Sequence, residues 1–216
     1  YADLKYKSTE KKDFEIIKQK VSLPTANTNL VYTGTEVTGV SASNLYEVVD
    51  GTAINAGSHT ATVTLIDFSN YEWEEEFDGT VEYAISKAQL TIITESKEVI
   101  YGDAVPTYTV SYNGLVNNET SSVLGGTLSF VSSYSQTSNV GEYDIAASGL
   151  TSENYEITYV DGKVIVSQKE VGLTWGETQF TYNGSSQLPT VTLTGLVNND
   201  TCEVTVKGEQ INAGSY

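Results

Sequence analysis

The chain repeats itself, and the period decides what it can fold into. Gly114-Leu115-Val116-Asn117-Asn118-Glu119-Thr120 returns as Gly195-Leu196-Val197-Asn198-Asn199-Asp200-Thr201, an offset of 195 − 114 = 81. Tyr101-Gly102 returns at the same offset as Tyr182-Asn183-Gly184, with one residue inserted before the glycine. Ile54-Asn55-Ala56-Gly57-Ser58-His59 recurs as Ile211-Asn212-Ala213-Gly214-Ser215-Tyr216, and Asn70-Tyr71-Glu72 as Asn154-Tyr155-Glu156. The junctions Ile17-Lys18-Gln19-Lys20-Val21, Ile85-Ser86-Lys87-Ala88 and Val166-Ser167-Gln168-Lys169 are a third echo. A period of roughly 70–80 residues suits a tandem array of small domains, each with its own core. The expected divisions are 1–20, the last hairpin of a preceding module; 21–87 and 88–168, two complete modules; and 169–216, a truncated one. That last stretch lacks the equivalents of Ala61–Leu65 and of the 70–85 segment, which would cover Trp175, Leu193 and Val204.

Within each module the hydrophobic period is two. Thr60-Ala61-Thr62-Val63-Thr64-Leu65 turns Ala61, Val63 and Leu65 to one side, and Thr107–Tyr112 sets its hydroxyls opposite its aromatic and aliphatic residues. Methionine is absent and 15 tyrosines are present, enough apolar surface for several small cores but not one deep one. Asp161-Gly162 reads as a two-residue hairpin turn pairing Tyr159 with Val164 and Ile157 with Val166, with Tyr159 and Val164 both buried. The first module would do the same with Tyr71, Trp73, Val81 and Tyr83. Asn118–Leu124 is the only helical hint, one capped turn. The fold class is all-β, as tandem small Ig-like β-sandwich modules. The rival is a β-grasp-like module with that turn enlarged into one short helix.

Charge narrows the partners. The net charge is −17, from 28 acids against 11 lysines and no arginine. Such a surface repels phosphate backbones and anionic lipid, which argues against nucleic acid and membrane insertion. Its plain reading is solubility and self-repulsion. A lone cysteine, Cys202, allows no internal disulfide, so stability must come from burial, and Cys202 itself reads as a small half-buried residue.

No catalytic set can be assembled. The one histidine, His59, occupies the place of Tyr216 in the sister repeat, so a general base there is not expected. The acids Glu72, Glu74, Glu75, Glu76 and Asp78 read as a solvated face, since an acid/base pair would need a pocket to separate two pKa values. Calcium is the one cofactor kept open, through oxygens near Glu95, Glu98, Asp103 and Glu170, although no Asp-x-Asp-x-Asp spacing is present. The Asn-x-Ser/Thr triplets at Asn118, Asn183 and Asn199 fall where turns are expected anyway. No catalytic, cofactor-binding or metal residue is therefore assigned.

Ile100-Tyr101-Gly102-Asp103-Ala104-Val105-Pro106, Gly114–Thr120, Val140-Gly141-Glu142-Tyr143, Asn154-Tyr155 and Val160-Asp161-Gly162 follow one another in order. The series resembles the MBG repeat domain of bacterial surface proteins, of the type opening on a Tyr-Gly motif, over residues 88–168. Residues 21–87 look like an Ig-like or MBG-type module, and 169–216 like a YDG- or MBG-type one. The Asp of the YDG motif is Thr33 and Asn183 here. The resemblance implies a non-catalytic repeat of a secreted or cell-surface protein, outside the cell. There such modules act as a spacer or stalk displaying an adhesin or another distal domain. Their partners would be the neighbouring modules of the same chain, with any host or matrix ligand taken by other domains. A ligand- or glycan-binding adhesin module and an accessory module of a secreted polysaccharide-degrading enzyme are the other readings.

Overall fold

The computed structural model describes residues 10–216. Among them there is no α-helix; sixteen strands and one 3-10 turn make up the fold. The chain divides into two compact units. One holds the residues up to Leu90 with 114–125 and 151–156; the other holds 91–113, 126–150 and 157–216.

Seven strands open the chain: β1 (Gln19–Val21), β2 (Val37–Thr38), β3 (Tyr46–Val49), β4 (Thr52–Ala53), β5 (Gly57–Leu65), β6 (Tyr71–Trp73) and β7 (Thr80–Ile85). The strand β5 lies between β3 and β7, antiparallel to both, while β1 runs parallel to β6 and β2 antiparallel to β4. The alternation expected for β5 is present, with Ala61, Val63 and Leu65 buried and Thr60, Thr62 and Thr64 in water. Two contacts join the sheets face to face. Tyr46 of β3 lies 5.7 Å from Trp73 of β6, and a Cβ on Gly39 would sit 2.0 Å from the Tyr83 ring of β7. Only glycine lets the backbone come so near. The arrangement is a small sandwich of short strands.

The next seven strands are β8 (Ala88–Thr94), β9 (Lys97–Ile100), β10 (Val110–Asn113), β11 (Gly125–Ser132), β12 (Gly141–Thr151), β13 (Tyr155–Val160) and β14 (Gly162–Ser167). They form two sheets, in the orders β10-β8-β13 and β11-β12-β14-β9, with β9 parallel to β14. Tyr134, Ile145, Val164 and Val166 make the core of the second unit, packed by Val99, Tyr108, Phe130 and Tyr143. Tyr108 meets Phe130 at 5.8 Å. The pairing of the first seven strands is echoed here: Val31 and Ser86 bridge in parallel, as Ile100 and Ser167 do. Last come β15 (Gly172–Trp175) and β16 (Val191–Thr194), an antiparallel pair with Leu173 opposite Leu193. No residue of 169–216 is buried, and Leu173, Trp175, Phe180 and Val204 are exposed.

Several expectations need correction. β13 and β14 are not a hairpin but belong to different sheets, so Tyr159 does not pair with Val164. Neither Asp161 nor Gly162 takes the positive φ that a type I′ turn requires. Gly162 serves a different need: a Cβ there would lie 2.6 Å from the Thr94 carbonyl oxygen. Val164 is fully buried, but Tyr159 is only half-buried and gives its hydroxyl to the Leu150 carbonyl. Likewise β6 pairs with β1, and β7 with β5. The turn at Ser121–Val123 is 3-10, preceded by Thr120, and no side chain caps it. Of the hairpin expected in 1–20, residues 1–9 lie outside the described residues and 10–18 form no strand; β1 pairs within the following module. Glu203–Val206, which carries Val204, forms no strand.

Candidate functional site: the module joints

The residues with chemistry to offer are scattered and satisfied locally. His59 stacks on Tyr83 at 5.2 Å and reaches the Asn55 carbonyl through Nε2. Glu72 pairs with Lys20 at 3.0 Å, and Glu74 accepts the Ser22 hydroxyl. Asp78 accepts the backbone N–H and hydroxyl of Thr80, which hold its carboxyl below the usual range. Glu75 and Glu76 are exposed. Glu95 is held low by the Thr109 hydroxyl and Lys97, Asp103 accepts the Ile100 N–H, and Glu98 and Glu170 are exposed. Among the described residues no three His, Cys, Asp or Glu side chains come together as a metal cage. Cys202 is exposed rather than half-buried, because no second layer of strands packs over it.

Polar groups instead converge where the motifs of one sequence repeat meet those of the next. Within the first unit, Val116-Asn117-Asn118-Glu119 is a type I′ turn. Asn117 and Asn118 have φ of 50° and 56°, and the Glu119 N–H closes it onto the Val116 carbonyl at 2.9 Å. Asparagine tolerates this left-handed backbone better than other side chains. Against the turn lies Tyr32-Thr33-Gly34. Asn117 Nδ2 donates to the Gly34 carbonyl at 3.0 Å. Gly34 has φ +73° and no room for a side chain, since a Cβ would lie 2.7 Å from that of Asn117.

One carboxylate ties this joint together. Tyr32 donates its hydroxyl to Glu119 Oε1 at 2.6 Å, and Tyr155 donates to Glu119 Oε2 at 2.5 Å. The Val116 N–H in turn donates to the Tyr155 hydroxyl at 2.9 Å, and the two rings meet edge to face at 5.4 Å. Tyr32 is 6% exposed and Tyr155 2%. Burial first, and then Glu119, pushes the Tyr32 phenol up to about 12; the same causes raise Tyr155. At one side, the Ala56 N–H donates to Asn154 Oδ1 and the Asn154 amide to Asn55. Hydrogen bonds to a charged acceptor are about twice as strong as neutral ones, so the acid is the centre of the joint.

The second unit repeats part of this arrangement with equivalent residues, without the tyrosine–carboxylate bonds. Val197-Asn198-Asn199-Asp200 is again a type I′ turn, with φ of 53° and 59° and the Asp200 N–H on the Val197 carbonyl. It abuts Tyr101-Gly102, where a Cβ on Gly102 (φ +91°) would lie 2.5 Å from Val197. Asn198 Nδ2 donates to the Gln136 carbonyl, and Gln136 Nε2 donates to the Gly102 carbonyl, so one side chain is inserted in the link. A hollow of about 290 Å³ beside it is lined by Tyr101, Val140, Val171 and Val197 among others, at the lower edge of the ~300–1,000 Å³ of small-molecule pockets. In both joints the tyrosine N–H donates to a serine carbonyl, Tyr32 to Ser86 and Tyr101 to Ser167. The sequence marked these motifs as repeats but did not show that they touch. The signal was there, in a Tyr-Gly and a Val-Asn-Asn-acid motif that recur at one shared offset.

Residues 90–165 match the family model of the MBG domain of the YGX type, within the stretch where the five motifs run in order. The match supports the MBG repeat read over residues 88–168. No curated protein and no solved structure matches it.

Proposed function

We propose that this chain is a non-catalytic spacer segment of a secreted or cell-surface protein, in which successive modules carry a distal domain away from an anchoring surface. The observation that supports it most is the joint made twice from the same motifs: the most elaborate polar constellation of each unit serves module on module. The histidine and several of the acids are taken up by local hydrogen bonds and ion pairs, other acids are exposed, and the hollow at the second joint is small. On this reading the segment works outside the cell, binds neither nucleic acid nor membrane, and has its own neighbouring modules as partners.

A second reading, a glycan- or ligand-binding adhesin module, is favoured by one feature. Trp175, Phe180 and Tyr182 are 50%, 45% and 62% exposed within a few residues of one another, and exposed aromatics of this kind suit a sugar face. Presenting the labelled 216-residue segment to arrayed glycans and extracellular matrix proteins separates the two. The spacer reading expects no saturable binding. Saturable binding that Trp175→Ala abolishes would replace it with the adhesin reading.

A further inference from the structure

The two joints agree in four respects. The tyrosine backbone is held by a serine carbonyl, the glycine has positive φ, the facing turn has two left-handed asparagines, and the glycine carbonyl ends a side-chain amide link. A third loop has the Tyr-x-Gly form of the first, with nothing against its glycine. Tyr182-Asn183-Gly184 has Gly184 at φ +77°, close to the +73° of Gly34, and nothing lies within 4 Å of where its Cβ would be. Tyr182 is 62% exposed, against 6% for Tyr32. The loop is already shaped. Asn183 Oδ1 accepts the Ser185 N–H at 2.9 Å, as the Thr33 hydroxyl reaches Thr35 in the first module.

We propose that the Tyr-Gly or Tyr-x-Gly loop and the Val-Asn-Asn-acid turn are a socket and plug by which modules of this kind recognise one another. On this proposal Tyr182-Asn183-Gly184 is an open socket whose occupant is the Gly-Leu-Val-Asn-Asn turn of another such module. The chemistry selects that occupant. The bare glycine admits a turn lying flat against the backbone, and in the first joint its carbonyl takes an asparagine amide while the tyrosine hydroxyl takes a carboxylate two residues beyond that asparagine. A turn with bulky or β-branched central residues could not adopt the positive φ. One with an amide in place of the acid would lose the charge-assisted bond. The pairing stands whether or not the segment is a spacer, since an adhesin would need its modules joined too.

Both halves can be tested on the full chain. For the made joint, Asn117→Gly removes the amide yet keeps the left-handed backbone without strain. It should speed amide exchange at 33–35 and Val116 by about tenfold or more while Ile145 and Val164 keep their rates; unchanged rates at 33–35 and Val116 overturn the proposal. For the open socket, the probe is a cyclic peptide carrying the sequence of residues 114–120, titrated into isotope-labelled protein to millimolar concentration. Resonance shifts confined to 181–185, lost with Gly184→Val and weakened when the peptide glutamate is replaced by glutamine, are expected. No shift, or shifts indifferent to Gly184→Val, overturn it.

Discussion

Burial, and then the Glu119 carboxylate that takes two tyrosine hydroxyls, hold the Tyr32 proton, and this makes the joint sensitive to alkali. Tyr32 keeps its proton in the folded state up to about pH 12, whereas an unfolded tyrosine loses it near 10. The folded state therefore binds more protons between these values. The stability contributed is complete below about pH 10 and is lost as pH rises through the folded pKa. Glu119→Gln removes the second cause of the shift and leaves burial, so the tyrosinate titration of Tyr32 should move down yet stay above 10. The variant should also lose about 1–3 kcal/mol at neutral pH, since two bonds to a charged acceptor become neutral. Tyrosinate absorbance followed against pH, with urea melts at pH 7, checks both; a Tyr32 titration unmoved by the substitution would contradict the geometry.

The strands of this protein were legible by their faces and not by their partners. Tyr155, Val164 and Val166 are buried, as period two requires, and Glu156 and Thr158 lie in water or at the margin. Side-chain alternation is a property of one strand, so one sequence suffices to read it. Pairing is a property of two. In a sandwich the chain often crosses to the other sheet, and Asp161-Gly162 looks the same on paper whether it turns back or crosses over. What distinguishes them is the Thr94 carbonyl pressed against Gly162, a long-range fact. Gly162→Ala should accordingly cost about 1–3 kcal/mol by overpacking against backbone. A genuine two-residue turn would suffer from φ strain instead, and Gly162→Asn would rescue it. Here Asn should be worse than Ala in chemical denaturation. The joint residues were half-legible: Asn117, Glu119, Asn198 and Asp200 stood out as repeats, but nothing in the sequence paired Glu119 with Tyr32 and Tyr155.

Over the whole molecule, burial is uneven. Among the described residues every buried one lies between Val21 and Val166, and β15 and β16 form a two-stranded pair of the kind that is marginal alone. Amides of Val191–Thr194 should exchange at least about a hundredfold faster than those of Tyr143–Ile145, which sit beside the Val164 core. Equal protection would mean that 169–216 has a core of its own. Chelation is the complementary test. With no cluster of three ligand side chains among the described residues, a chelator should shift the melting temperature by no more than about one degree, because only a ligand of the native state stabilises it.

The parallel pairing of β9 with β14 bears on how such a module meets a pulling force. β9 stands near the start of the 88–168 stretch and β14 at its end, and they run in the same direction, Val164 beside Lys97 through Ser167 beside Ile100. Tension applied through the two chain ends draws these strands past each other along their length. The ladder bonds are then loaded together in shear rather than one after another, as they would be if the strands were peeled apart like a zip. Val31 and Ser86 form a parallel bridge of the same sense in the first seven strands. The direction of the strands, rather than their number, then decides how the ladder bonds share such a load.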